Sequence, residues 1–174
     1  IEELIDQATA LKMPAIAVTE HGNLFSSVMF HDAARKKGVK PILGCEVYVA
    51  PGDRRTRSGT PGETASHLVL LAETQEGYHN LIKLVSMGYL EGFYHRPRID
   101  KDILAAHSGG LIGLSGCLSS EVSAQLRRGN DAAALATVRS YREWMTRYAG
   151  MRLIDVRYSH ITADEIRAPA DGIV

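Results

Sequence analysis

The sequence lacks the features that would place it in a specialised class of protein. Two cysteines among 174 residues cannot form a disulfide framework, so a reducing cytosol and a cytoplasmic location are expected. The 20 Lys and Arg balance the 20 Asp and Glu, which argues against a protein that binds nucleic acid with its whole surface. No apolar run approaches the roughly 18 residues of a membrane span. The early acidic residues Glu2, Glu3 and Asp6 argue against a signal peptide.

What the sequence does contain is typical of one globular domain. It is 45% hydrophobic and 23% charged, and its length is sufficient for a single core. The chain begins with Ile1, already inside a helical pattern, so we expect it to be part of a longer protein.

Apolar residues at helical spacing alternate with short apolar runs. This pattern predicts helices over 1–11, 24–37, 78–89 and 134–145, and strands over 15–18, 42–49, 67–72 and 111–114. Ser119 and Asn130 are the expected N-caps of two helices, and residues 51–65 are predicted to form a mobile loop. The alternation favours a mainly parallel α/β sheet, either a barrel or an open doubly wound sheet. No glycine fingerprint for a dinucleotide or a P-loop follows any strand.

Candidate chemical groups lie at or near the ends of these strands. His21 follows Glu20, and such a pair suits metal ligation, although a capping carboxylate beside a surface histidine is the alternative. Glu46 lies in an otherwise apolar strand, so it needs a cation, a hydrogen-bond network or an open face. His67 is either a satisfied histidine of the core or its edge, or a ligand. Cys117 is either a small buried side chain or a thiolate whose pKa is lowered at a strand-to-helix turn.

If these groups converge on one barrel mouth, they form a metal site able to promote attack of water on a phosphoester. Cys45 is adjacent to Glu46 and should therefore point into packing on the other face. The remaining histidines are expected at the surface: His31, His79, His95, His107 and His160. The basic runs at 35–40 and 53–57 are either solvated or directed toward DNA phosphates.

Several motifs carry a resemblance to a known family. They are TEHGNL at 19–24, KPILGCEVYV at 40–49, HLVLLA at 67–72, EGYHNLIKLV at 76–85, GYLEGFYHRPRID at 88–100 and LSGCL at 114–118. In this order they resemble the PHP (polymerase and histidinol phosphatase) domain family. The motifs at 76–100 resemble its branch in bacterial DNA polymerase III alpha subunits more than the free-standing phosphatases.

The resemblance implies a distorted (β/α)7 barrel whose strand ends bind up to three divalent metals, commonly Zn, Mn or Fe. It implies metal ligands at His21, Glu46, His67 and Cys117, with Glu20 in a supporting role or as a further ligand. It also implies a parent DNA-directed DNA polymerase that uses Mg outside this region. Its expected partners are DNA, other polymerase subunits, a proofreading exonuclease and a sliding clamp. Family members either show 3′–5′ exonuclease activity or serve as a dock for that exonuclease.

The chain also departs from the family pattern. The opening His-x-His motif is absent, and residues 146–174 lack the closing Asp-x-His motif, so Asp155 and His160 receive no ligand role. We therefore expect a partial PHP domain over 1–145, a divergent tail over 146–174, and a barrel incomplete at both ends. Alone, the chain should neither extend a primer nor hydrolyse DNA efficiently.

Two alternatives stay open at this point. The first is a stand-alone PHP phosphoesterase that acts on a small phosphate ester. The second is a metal-free scaffold within a replication complex, for which neither His21 nor Cys117 would be needed.

Overall fold

The computed structural model describes residues 1–59, 65–115, 117–147 and 152–154. The helices are α1 (Glu2–Ala10), α2 (Ser27–Lys36), α3 (Gln75–Leu90), α4 (Lys101–Ala106), α5 (Glu121–Arg127) and α6 (Asp131–Arg147). The strands are β1 (Ala15–His21), β2 (Lys40–Val49), β3 (Ser66–Ala72), β4 (Arg98–Ile99), β5 (Leu111–Leu114) and β6 (Arg152–Ile154). No helix in this described part of the chain is long and apolar enough to cross a membrane.

The strands form one mixed sheet in the order β1-β2-β3-β5-β6, and β4 pairs with β2 beyond the end of β1. β1 and β4 run parallel to β2, and β6 runs parallel to β5. β3 runs antiparallel to both of its neighbours. The prediction of an α/β fold is confirmed, and that of a mainly parallel sheet is wrong for β3. The 16-residue connection between β2 and β3 contains no crossover helix among its described residues. The chain therefore reverses direction, and β3 pairs antiparallel with β2.

One face of the sheet packs against the helices. Cys45, Val47 and Leu70 lie in the larger buried cluster with Leu81 and Leu84 of α3. A second cluster joins α1 and α2 to the other end of the sheet through Ile5, Phe30, Ala34 and Val39. Cys45 is fully buried, as its position beside Glu46 predicts. Because side chains alternate along a strand, the intervening residues of β1, β2 and β3 point to the opposite face.

Side-chain caps begin the later helices. The Asp100 carboxylate accepts the Ile103 N–H at 3.0 Å at the start of α4, and Asn130 accepts the Ala133 N–H at 3.1 Å, as predicted. α5 is capped by Ser120, whose hydroxyl accepts the Ser123 N–H at 3.1 Å. The prediction of Ser119 is therefore wrong by one position.

Two buried arginine side chains anchor the described part of the segment between β2 and β3, for which the sequence predicts a mobile loop. Arg54 is buried and donates from Nη1 to Asp100 Oδ2 at 2.8 Å and from Nε to Glu91 Oε2 at 3.0 Å. Arg98 is buried too, and its guanidinium donates to the carbonyls of Gly92, Arg54 and Thr56 at 2.7–3.1 Å. Part of the basic run at 53–57 is thus neutralised inside the fold.

Candidate metal centre

The register of three strands places three candidate ligands on one face of the sheet. His21 of β1 pairs with Glu46 of β2, and Tyr48, two positions further along β2, pairs with His67 of β3. His67 is at the start of its strand, whereas His21 is at the end of its own. Because β3 is antiparallel, these two ends lie at the same edge of the sheet.

The fourth candidate comes from the connection between β5 and α5. The His67 backbone N–H donates to the Ser119 carbonyl at 3.1 Å, which ties this connection to the start of β3. As a result Cys117 Sγ lies 3.2 Å from His67 Nδ1. One ligand atom each of Glu46, His67 and Cys117 lie within 4.8 Å of one another.

The carboxylate of Glu46 is at the centre of the group. Its Oε1 lies 2.6 Å from His67 Nδ1 and 3.3 Å from His21 Nε2. This oxygen is buried, yet it has no partner with hydrogen-bond geometry among the described residues. A buried carboxylate oxygen without a partner carries an energetic cost that a cation would remove. Carboxylate, imidazole and thiolate are also the donors that zinc and related metals accept, so the residues fit a divalent metal.

The electrostatics of Cys117 differ from the prediction. Burial and the neighbouring Glu46 carboxylate raise the pKa of the thiol, against a hydrogen bond from Ser119 and the charge of Arg127 that lower it. A lowered pKa is thus wrong for the metal-free chain, because desolvation and a like charge disfavour the thiolate. A cation at Glu46 would reverse that local charge.

Glu20 is directed away from these groups. It pairs with Cys45 in the strand register, so its side chain points to the face that carries the helices. There its Oε2 accepts the Ser26 backbone N–H at 2.8 Å, at the entrance of α2. This contact is the capping one considered from the sequence.

The turn after His21 is shaped by a glycine. Gly22 has φ +70°, and a Cβ at this position would lie 2.9 Å from both Pro97 Cγ and Tyr48 Cε2. Tyr48 in turn meets His67 edge-on, with ring centroids 5.0 Å apart at 84°. Only glycine therefore allows the segment before β4 to close against the candidate centre.

The structure brings four of the five predicted site residues together and separates Glu20 from them. Sequence reasoning missed Tyr48, although its position two residues after Glu46 in a strand indicates the same face. It also missed Arg96, whose guanidinium lies over the Tyr48 ring. Of the histidines predicted at the surface, His31, His79 and His95 are exposed and His107 is half-buried. Asp155 and His160 lie outside the described residues.

Comparison with known proteins first identifies the domain family of this chain. The family model of the PHP domain matches residues 1–152, so the chain belongs to the PHP domain family. Its curated relatives are named DNA polymerase III subunit alpha. The one from Chlamydia trachomatis is 47% identical over 124 residues, 71% of this chain and 10% of that protein. The one from Treponema pallidum is 41% identical over 143 residues, and the one from Thermus aquaticus 52% over 111 residues.

Those matches cover 82% and 63% of this chain and 12% and 9% of the respective relatives. The chain therefore spans about a tenth of the length of the curated relatives it matches.

Proposed function

We propose that this chain is the metal-binding PHP part of a bacterial DNA polymerase III alpha subunit. The observation that carries the metal site is the convergence of Glu46, His67 and Cys117 around a buried carboxylate oxygen that no described residue meets with hydrogen-bond geometry. In the complete protein, the mixed sheet belongs to a distorted seven-stranded barrel. The domain limits at 1–145 and 146–174 remain part of this proposal.

The chain's own side chains supply the donors. Glu46 Oε1, His67 Nδ1 and Cys117 Sγ would hold a Zn, Mn or Fe ion, with His21 Nε2 beside them. Tyr48 packs edge-on against the His67 ring and so restricts its rotation. A bound divalent cation supplies Lewis acidity toward a phosphoester oxygen. Such chemistry in the complete protein fits a 3′–5′ exonuclease that removes misincorporated nucleotides.

The names of the relatives support a proposal for the whole protein. Its activity would be DNA-directed DNA polymerisation with Mg bound elsewhere in the protein, in the bacterial cytoplasm. Its partners would be DNA and other polymerase III subunits, including the proofreading exonuclease and the sliding clamp. The present chain would contribute metal binding without polymerising.

Zinc binding by the full 174-residue chain tests the metal part of the proposal. Equilibrium dialysis followed by metal analysis should find stoichiometric zinc in the wild type. Because outer contacts alone change metal affinity by about 10–100-fold, losing a ligand in Cys117→Ala should weaken binding by at least that range. Cys45→Ala is the matched control, since this second thiol points into the core.

Two results would contradict the proposal in different ways. A wild-type chain without stoichiometric zinc would favour the metal-free scaffold, and equal affinities in the two variants would remove Cys117 from the ligand set. The coding sequence on either side tests the polymerase part. An upstream His-x-His motif and a downstream polymerase region are expected, and their absence would favour a stand-alone phosphoesterase.

A further inference from the structure

The Arg96 guanidinium is separated from the candidate ligand His67 by the ring of Tyr48. The Arg96 guanidinium carbon is 5.5 Å from the centroid of the Tyr48 ring, and that ring meets His67 edge-on. Arg96 is exposed, whereas Tyr48 is 5% exposed. The Tyr48 ring therefore contacts both the exposed guanidinium of Arg96 and the imidazole of the candidate ligand His67.

Arg96 differs from its basic neighbours in the charges around it. Arg54 and Arg55 both pair with Glu91, and Arg98 donates to three carbonyls. Among the side chains that the structure describes, in 1–59, 65–115 and 117–141, no carboxylate forms an ion pair with Arg96. A guanidinium held by an aromatic face and by no anion keeps its donors available.

Arg96 lies in a tight backbone turn. His95 has φ +61°, a left-handed conformation that is uncommon for a residue other than glycine. The Tyr94 N–H donates to the Arg96 carbonyl at 3.1 Å, which closes a tight turn. Pro97 then packs beside Gly22, directly after His21. Strained turns of this kind are concentrated at binding sites, where the surrounding structure maintains them.

We propose that Arg96 binds a phosphate oxygen of the phosphoester that occupies the metal centre. This inference rests on the proposed metal site, because it assigns the second positive group around a shared anion. The planar fork of a guanidinium suits two phosphate oxygens at once. The phosphate belongs either to a DNA strand or to a small phosphate ester, and the two sources share this chemistry.

Calorimetric titration of the zinc-loaded full chain with inorganic phosphate tests the inference. Arg96→Met keeps much of the packing on Tyr48 and removes the charge, and should weaken phosphate binding by about tenfold or more. Arg96→Lys should retain part of the affinity. Arg35→Met, an exposed arginine on α2, is the matched control and should bind as the wild type does.

A second arm uses a short single strand of thymidine nucleotides. If the strand loses affinity in Arg96→Met by the same factor as phosphate, the phosphate belongs to a DNA strand. If the strand binds independently of Arg96 while phosphate does not, the ligand is a small phosphate ester.

Zinc affinity, measured in parallel, separates this inference from the proposed function. Normal zinc binding with unchanged phosphate affinity in Arg96→Met would overturn the inference and leave the metal site intact. Weakened zinc binding in Arg96→Met would also overturn it, because Arg96 would then maintain the centre and not its ligand. A wild type that binds no zinc would overturn both proposals.

Discussion

Replacing Arg54 by methionine tests whether the buried ion pairs hold the segment between β2 and β3. Arg54 and Arg55 are neighbours with the same charge, and both contact Glu91. The Arg54 side chain is 7% exposed, whereas that of Arg55 is 59% exposed. Arg55→Met is therefore a control with the same change of charge and length.

The structure sets the expected magnitudes. Arg54→Met leaves the Asp100 carboxylate, 6% exposed, without its guanidinium partner. Breaking a buried pair from one side costs about 3–5 kcal/mol. Asp100 keeps the N–H donors of Ile103 and of residue 54 itself, each at 3.0 Å, so the lower end, about 3 kcal/mol, is expected. Arg55→Met should cost at most about 1 kcal/mol, the usual range for an exposed pair.

Urea denaturation followed by circular dichroism measures both free energies of unfolding. For a chain of this size, a loss of about 3 kcal/mol lowers the melting temperature by roughly 6–12 °C. Adding Asp100→Asn to Arg54→Met should restore part of the loss, because the unpaired charge is removed. Equal effects of the two single arginine variants would refute the reasoning, since burial would then not decide the strength of the pairs.

Two further predictions concern pH and the turn after His21. Burial alone would raise the pKa of Asp100, but hydrogen bonds from Ile103 and Arg54 outweigh it and hold that pKa below its usual value. The resulting stabilisation is complete above the unfolded pKa of about 3.9 and is lost as pH falls through the folded pKa. Urea titrations between pH 5 and pH 2 should therefore show a steeper loss of stability in the wild type than in Asp100→Asn, and parallel curves would contradict this. Gly22→Ala should cost about 2–5 kcal/mol, from left-handed strain and from overlap with Tyr48 and Pro97. Gly38→Ala, at φ +73° with nothing within 4 Å, should cost about 1–2 kcal/mol, and equal losses would argue against a role for the contacts at Gly22.

Much of the secondary structure follows from local sequence. The apolar spacing over 78–89 lies within α3, and the run over 42–49 lies within β2. β1 extends further than predicted, through Glu20 and His21. Its apolar run ends earlier, but the ladder with β2 continues to Glu46. Such an extension depends on the partner strand, which local apolar runs do not reveal.

The direction of β3 and the burial of Arg54 are also beyond local sequence. The apolar pattern of a strand that begins near His67 is the same whether that strand is parallel or antiparallel to its neighbours. The run DRRTR at 53–57 likewise resembles a solvated loop in the sequence. The partners of Arg54 are distant in the chain, since Glu91 is 37 positions away and Asp100 is 46 positions away. Both features depend on contacts between distant segments, for which one sequence provides no signal.

The antiparallel pairing of β2 with β3 has a consequence for the lifetime of the fold. Glu46 and His67 lie on the two arms of one strand pair, and Cys117 follows His67 after 50 positions. A cation held by all three would be a reversible cross-link that closes two long loops of the unfolded chain. In a chain whose two cysteines are both free, this cross-link would take the place of a disulfide. The supply of metal in the cell would then govern how long the domain stays folded.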